Sequence, residues 1–199
     1  ASALSATTWD GLFGDTILHV PGLASIGLAS LTLEDCSLTL GNENLSVSIT
    51  NGLVLRNGSA LGLTGNAQLR CGALSMRTDS RLSVFSGPTN AAPGAFGALV
   101  DVAGEFTMVS NCWVYAYSDM VNGGSPLFRM GSLSVDAGSG FNADGLGYMW
   151  ATGPGAGLPS QGAGGHGGTG GDGVSGSGGS TYGSSNAPVH PGSGGQSAA

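Results

Sequence analysis

The chain contains 199 residues, including 39 Gly, five Arg, 12 acidic residues and no Lys. Its net charge of −7 excludes a nucleic-acid groove, because so few cations cannot neutralise a row of phosphates. The 40% apolar content supplies enough side chains for a core, which excludes a chain that is disordered throughout. No apolar run reaches the roughly 18 residues of a membrane helix, so we predict no membrane span.

Composition also bears on location. Abundant Ser, Thr, Asn and Gly without Lys are typical of secreted or cell-surface β proteins, so we predict an extracellular or cell-surface location. The three cysteines leave at least one thiol unpaired and do not identify the compartment. Asn44 and Asn57 each begin an Asn-x-Ser sequon, which a eukaryotic secretory pathway would glycosylate.

The first 151 residues are rich in short stretches where apolar and polar residues alternate, such as 45–49 and 82–84. A period of two predicts strands with one buried face. Helical spacing is nearly absent, so the pattern predicts an all-β protein.

One template recurs in this part: an alternating apolar pair, a short turn, a small residue and a second alternating pair. Four segments follow it, beginning at Leu53, Leu74, Phe106 and Leu133, and a shorter one begins at Leu31. Their turns contain Asn, Asp and Gly, which tolerate the left-handed backbone of a sharp corner.

Repeats that begin 21 to 32 residues apart indicate the coils of a parallel β-helix, whose stacked coils share one apolar column. We predict a right-handed parallel β-helix of about five to six coils over residues 1–151. A β-sandwich with two-residue turns and a β-propeller with longer repeats remain the alternatives. The predicted inward ladder is Leu53, Leu55, Leu61, Leu74, Met76, Leu82, Phe106, Met108, Leu133 and Val135.

Residues 152–199 form a second domain, a low-complexity tail with 18 glycines among 48 residues. Glycine recurs at every third position from Gly164 to Gly179 without an intervening Pro, which argues against a collagen triple helix. We expect extended left-handed strands that pack closely, because a face made of glycine carries no side chains. A flexible linker is the alternative.

The junction between the two parts resembles a known family. The run 133–148, followed by the glycine-rich segments 152–157, 164–168 and 191–195, is similar to the glycine-rich parallel β-helix regions of large secreted or surface proteins, described as adhesin-like or autotransporter-passenger-like. The resemblance covers about residues 53–195 and implies no catalytic residues. In that family strands usually resume after the glycines, so we expect either a fragment or a subunit whose neighbour continues the column.

Candidate reactive groups are sparse. His166, Asp172 and His190 lack the companion ligands of a zinc or calcium site, so we predict no metal and no cofactor. Polysaccharide cleavage would need converging carboxylates and a cation. The fold could in principle bring Asp79, Glu105 and Asp119 together, but Asp79 fits a turn residue and Lys is absent, so we predict no enzymatic activity.

The spacing of two cysteines predicts their role. Cys36 and Cys112 occupy one repeat column three coil steps apart, which is too far for a disulfide and predicts small buried side chains.

Trp113, Tyr115 and Tyr117 alternate with smaller residues and share the outward face of one strand. This aromatic row would stack on sugar rings or contact another subunit, unless neighbouring loops cover it.

Together these patterns predict a structural, non-catalytic extracellular module. It would assemble as a filament, matrix or surface layer, or form part of a large adhesin-like protein. The expected partners are copies of itself or neighbouring β-helix segments, with carbohydrate as a further partner class. The alternative function is a carbohydrate-binding or polysaccharide-cleaving β-helix protein.

Overall fold

The computed structural model describes residues 2–9, 16–18, 23–41, 43–88, 96–158, 162–184, 186 and 189–195. None of these residues lies in a helix, which confirms the all-β prediction. In this part of the chain, no helix is long and apolar enough to cross a membrane. The strands are β1 (Ser2–Trp9), β2 (Thr16–Leu18), β3 (Leu23–Glu34), β4 (Ser37–Leu40), β5 (Ser46–Arg56), β6 (Ala60–Leu63), β7 (Gln68–Arg77), β8 (Arg81–Phe85), β9 (Ala98–Val109), β10 (Trp113–Tyr117), β11 (Pro126–Val135) and β12 (Gly140–Asn142).

The strands form two sheets of six. The first sheet has the order β1-β3-β5-β7-β9-β11, and the second has the order β12-β10-β8-β6-β4-β2. Every register described between neighbouring strands is parallel. Successive strands alternate between the sheets, so the chain winds as a parallel β-solenoid. The sandwich and the propeller are excluded, because both are built from antiparallel strands.

The predicted corners are present where the chain passes from the first sheet to the second. Between β5 and β6, Asn57 and Gly58 have positive φ angles of 55° and 76°. Asp35, Asp79 and Asn111 adopt the same left-handed backbone, at 49°, 59° and 62°, at the equivalent corners. Short polar side chains tolerate this conformation, which explains why the same turn chemistry recurs.

A second irregularity lies inside the long strands of the first sheet, where the register shifts. A Cβ atom on Gly104 would lie 2.8 Å from the carbonyl oxygen of Gly72, and one on Gly131 would lie 2.7 Å from that of Ala103. The backbones of successive coils therefore approach too closely here for any side chain. Glycine is needed at these two positions because it has no Cβ.

Inward side chains stack in register. Leu31, Leu53, Leu74 and Phe106 occupy one column on four successive strands of the first sheet. Eight members of the predicted inward ladder are at most 1% exposed, which confirms their placement. They are Leu53, Leu55, Leu61, Leu74, Met76, Leu82, Phe106 and Met108.

The prediction is wrong for the last two members of the ladder. Leu133 is 48% exposed and Val135 is 41% exposed. Both lie on β11, which ends its sheet, and they pair in register with the buried residues Phe106 and Met108 on one side only. Both side chains continue the inward column, but no strand among the described residues follows β11 to cover them.

The chain divides into two compact units. The first comprises residues 1–86, 98–116 and 126–142, and the second comprises residues 87–97, 117–125 and 143–199. The predicted boundary between residues 151 and 152 follows composition, whereas these units follow spatial contacts. The boundary therefore stays a prediction.

Backbone hydrogen bonds connect separate glycine-rich segments within the second unit. We call the segments 147–158, 162–171, 176–183 and 191–195 the four tail segments. The amide of Gly165 donates to the carbonyl of Gly155 at 2.7 Å, and that of Gly170 donates to Gly179 at 2.9 Å. The amide of Gly194 donates to Thr152 at 3.0 Å. Each tail segment therefore satisfies backbone groups of another, as a packed segment must.

The tail segments are close enough to exclude side chains at their contacts. A Cβ atom on Gly179 would overlap the carbonyl oxygen of Gly155, and one on Gly194 would overlap that of Met149. In contrast, a Cβ atom on Gly171 would have no atom within 4 Å. The glycines of the tail segments are therefore not interchangeable, because some lie at backbone contacts and others face open space.

Truncation of Leu74 and of Leu133 distinguishes the closed part of the column from its exposed end. Leu74→Ala should lower the free energy of unfolding by about 2–5 kcal/mol, because it opens a cavity in the core. Leu133→Ala should cost about 1 kcal/mol or less, because half of the side chain is already exposed. Urea unfolding followed by circular dichroism measures both, and equal losses would contradict this assignment of the column.

Alanine substitutions in the tail test the backbone contacts. Gly179→Ala should disrupt the contact with Gly155 and speed amide hydrogen exchange in residues 162–183 by at least about tenfold. Gly171→Ala is the matched control and should leave exchange unchanged, since its methyl group would meet no neighbour. If both variants exchange like the wild-type chain, the tail segments are not packed by glycine contacts.

Candidate functional site

The aromatic row lies on β10, between β8 and β12 in the second sheet. Val114 is fully buried, whereas its neighbours Trp113 and Tyr115 are half-buried. Alternation along the strand therefore places the two rings on the outer face of the first unit. Tyr117, the last residue of β10, is also half-buried and belongs to the second unit.

A chain of hydrogen bonds orients the Trp113 ring. The indole Nε1–H donates to Oδ1 of Asn111 at 3.0 Å. The Nδ2 amide of Asn111 donates in turn to Oδ1 of Asp79 at 2.6 Å. Asn111 and Asp79 are corner residues of adjacent coils, so the corner stacking that shapes the solenoid also sets the position of this ring.

Two further neighbours complete the outward face around β10. The guanidinium carbon of Arg81 lies 5.1 Å from the centroid of the Tyr115 ring, a cation–π geometry. Gly140 pairs in register with Trp113. A Cβ atom at Gly140 would lie 3.2 Å from Cζ3 of the indole, so the bare backbone of β12 makes room for the ring. We call Trp113, Tyr115, Arg81 and Asn111 the aromatic platform.

The alternation along β10 predicted the rings of the aromatic platform but not the roles of Arg81, Asn111 or Gly140. These three residues reach the rings from the adjacent coils or the preceding corner, so their roles depend on which strands are neighbours. The repeat template contains a usable signal, because Arg81 and Trp113 both begin the strand that follows a corner. Alignment of the repeats would have placed both residues in one outward column.

The candidate carboxylates have separate structural roles. Asp79 accepts the Asn111 amide at its corner, as described above. Asp119 accepts the backbone amides of Val121 at 3.0 Å and Asn122 at 2.6 Å, which closes the turn after β10. Glu105 is exposed on β9, opposite Ser132 in register. Two of the three therefore stabilise turns, a role for which aspartate is well suited.

The candidate metal ligands of the tail hold its segments together. Nε2 of His166 lies 2.9 Å from the carbonyl oxygen of His190, and the His166 ring meets Tyr182 edge-on at 5.0 Å. Asp172 accepts the amide of Gly178 at 2.8 Å. No group of three or more His, Cys, Asp or Glu side chains that could hold a metal ion occurs among the described residues.

A small cleft lies beside this histidine in the second unit. Its volume is about 230 Å³, and it is open to solvent on one side. The hydroxyl of Tyr182 donates to the carbonyl oxygen of Pro191, which fixes the ring that forms one wall. The cleft is lined by His166, Gly167, Thr181, Tyr182, Gly183 and Ser184.

The cysteines are free and buried, as predicted for Cys36 and Cys112. Cys112 is fully buried, and its Sγ lies 3.1 Å from the carbonyl oxygen of Val109. Burial raises the pKa of the Cys112 thiol. Burial and, to a smaller extent, the carboxylate of Asp101 raise the pKa of Cys71 from the ordinary 9.0 to about 11. Such thiols are neutral and unreactive at neutral pH.

Comparison of the chain with family models, curated proteins and solved structures finds no match to any of them. The resemblance to adhesin-like β-helix regions therefore stays a prediction.

The buried Cys71 thiol makes stability depend on alkaline pH. The unfolded chain releases this proton near pH 9.0, whereas the folded chain holds it to about 11. The resulting stabilisation is complete below pH 9 and is lost as the pH rises through 11. The urea midpoint should therefore fall between pH 8 and pH 10.5, and it should fall less in Cys71→Val. If the urea midpoint falls equally with pH in the two proteins, burial does not keep the Cys71 thiol protonated.

Proposed function

We propose that this chain is a structural, non-catalytic extracellular module that assembles through the end of its β-solenoid. The proposal includes a right-handed solenoid of five to six coils that is followed by an extended glycine-rich tail. It applies equally to a filament, matrix or surface-layer subunit and to a segment of a large adhesin-like protein. In each case the partner is another β-solenoid coil, from a second copy or from a neighbouring segment.

The exposed end of the apolar column carries this proposal. Leu133, Val135 and Phe141 are 48%, 41% and 39% exposed, although each continues a column that is buried one strand earlier. The stretch of β11 that carries Leu133 and Val135 also ends its sheet, and a terminal strand is a template for another strand. A further coil placed on β11 and β12 would cover the apolar side chains and pair the edge at the same time.

The aromatic residues at this end favour a tightly packed partner. The ring of Phe141 meets Phe106 edge-on at a centroid distance of 6.0 Å and Phe128 at 5.4 Å. This cluster bridges the two sheets at the end of the column, so a docked coil would meet one continuous apolar surface.

A non-catalytic role is supported by the surroundings of the acidic side chains. Asp79 and Asp119 are committed to a corner and a turn by the hydrogen bonds given above. General acid–base chemistry needs groups positioned to exchange protons with a substrate, rather than groups that satisfy the backbone or a neighbouring amide. These hydrogen bonds give both carboxylates a structural role.

Paired lysine substitutions on β11 test assembly through the exposed end. Leu133→Lys places a charge on the apolar side of the strand, where a docked coil would bury it, and should abolish association. Ser134→Lys adds the same charge on the opposite face of β11 and should associate like the wild-type chain. Sedimentation velocity over a range of concentrations measures the association of each protein.

The wild-type sedimentation coefficient should rise with concentration, and the coefficient of Leu133→Lys should stay constant. The proposal is wrong if the wild-type chain is a monomer at every concentration. It is also wrong if the Leu133→Lys protein associates as strongly as the Ser134→Lys control.

A further inference from the structure

We infer that the aromatic platform binds a neutral carbohydrate, with Trp113 and Tyr115 stacking against the faces of pyranose rings. The platform lies on the outer face of the second sheet, whereas the proposed assembly surface consists of inward positions on β11 and β12. The inference therefore stands or fails independently of assembly.

The rings are set in place before any ligand arrives. Trp113 is fixed through Asn111 to Asp79, at distances of 3.0 Å and 2.6 Å, and its benzene edge lies over Gly140. The Arg81 guanidinium lies over one face of Tyr115, 5.1 Å from the ring centroid, so a sugar would stack on the opposite face. Aromatic side chains that are already ordered lose little conformational entropy on binding, which favours recognition of a ligand by stacking.

The spacing of the rings suits a chain of linked sugars. Residues two apart on a strand lie about 6.6 Å apart, and both side chains leave the same face of the sheet. Two rings in a line can therefore contact consecutive units of one oligosaccharide. The faces of aromatic rings carry partial negative charge, which complements the partially positive C–H groups on the face of a pyranose ring.

The polar groups around the rings match hydroxyl groups. The Arg81 guanidinium supplies N–H donors beside the rings, whereas the side chains of Asn111 and Asp79 already bond to each other and to the indole. Sugar hydroxyls accept hydrogen bonds, so they can pair with the N–H groups of Arg81. A purely apolar partner would bury the Arg81 guanidinium without hydrogen-bond acceptors, at a cost in binding free energy.

The charges of the platform select a neutral ligand over an acidic one. Arg81 is its one cation, and the Asp79 carboxylate lies at the corner just before the strand that Arg81 begins. The whole chain carries a net charge of −7, which repels polyanions at a distance. A polymer with a carboxylate on each sugar would meet too little positive charge, whereas a neutral glycan has no charge to neutralise.

The test uses the full chain on a printed panel of neutral hexose, neutral N-acetylhexosamine and uronic-acid oligosaccharides. The wild-type protein should bind one or more neutral oligosaccharides, and Trp113→Ala should weaken that binding by at least about tenfold. Trp150→Ala is the matched control, because it removes an exposed tryptophan from the second unit, and it should bind like the wild-type chain. Circular dichroism verifies that each variant retains its strands, and Tyr115→Leu replaces Trp113→Ala if the latter is unfolded.

Several results would overturn the inference. Absence of binding to every neutral oligosaccharide would do so, and binding to uronic-acid oligosaccharides alone would show that the ligand class is wrong. Equal binding by the Trp113→Ala and Trp150→Ala proteins would place the ligand elsewhere. If Trp113→Ala alters sedimentation and leaves glycan binding intact, the platform is a contact between subunits instead.

Discussion

The parallel stacking of coils is the constraint on which the rest of this structure depends. Strands in a sheet lie about 4.8 Å apart, so each residue lies directly above its equivalent in the preceding coil. Apolar residues then form continuous columns, and corner residues form polar ones in which Asn57 bonds to Glu34 and Asn111 to Asp79. No coil can bury its own inward row, so the stability of each coil comes from its neighbours.

Different interactions pack the two compact units. In the solenoid, inward side chains such as Leu53 and Phe106 fill the space between the two sheets, and the backbone pairs along each sheet. In the second unit, glycines such as Gly179 let one backbone lie directly on another. Apolar burial drives the first arrangement, whereas the second relies on backbone hydrogen bonds that form once side chains are removed.

Sequence patterns predicted the features that repeat and missed those that depend on neighbours. The recurrent Asn, Asp and Gly turns identified the corners, and alternation identified eight buried ladder residues, because both are local properties of the chain. The template assigned Leu133 and Val135 to the core, since it does not show whether another coil follows. The roles of Arg81 and Gly140 beside the aromatic rings depend on register between coils. Glycine spacing predicts close packing of the tail, but it does not show which tail segments bond to one another.

The exposed end of the apolar column is the proposed docking surface for another coil, so the amides of β11 offer the most direct test of docking. Hydrogen exchange of peptides covering Pro126–Val135 should be measured by mass spectrometry at low and at high protein concentration. If another coil docks on this edge, exchange in β11 will slow as concentration rises, while exchange in β7 stays constant. Exchange in β11 that is independent of concentration would contradict the account, because it would show that the exposed edge takes no partner strand.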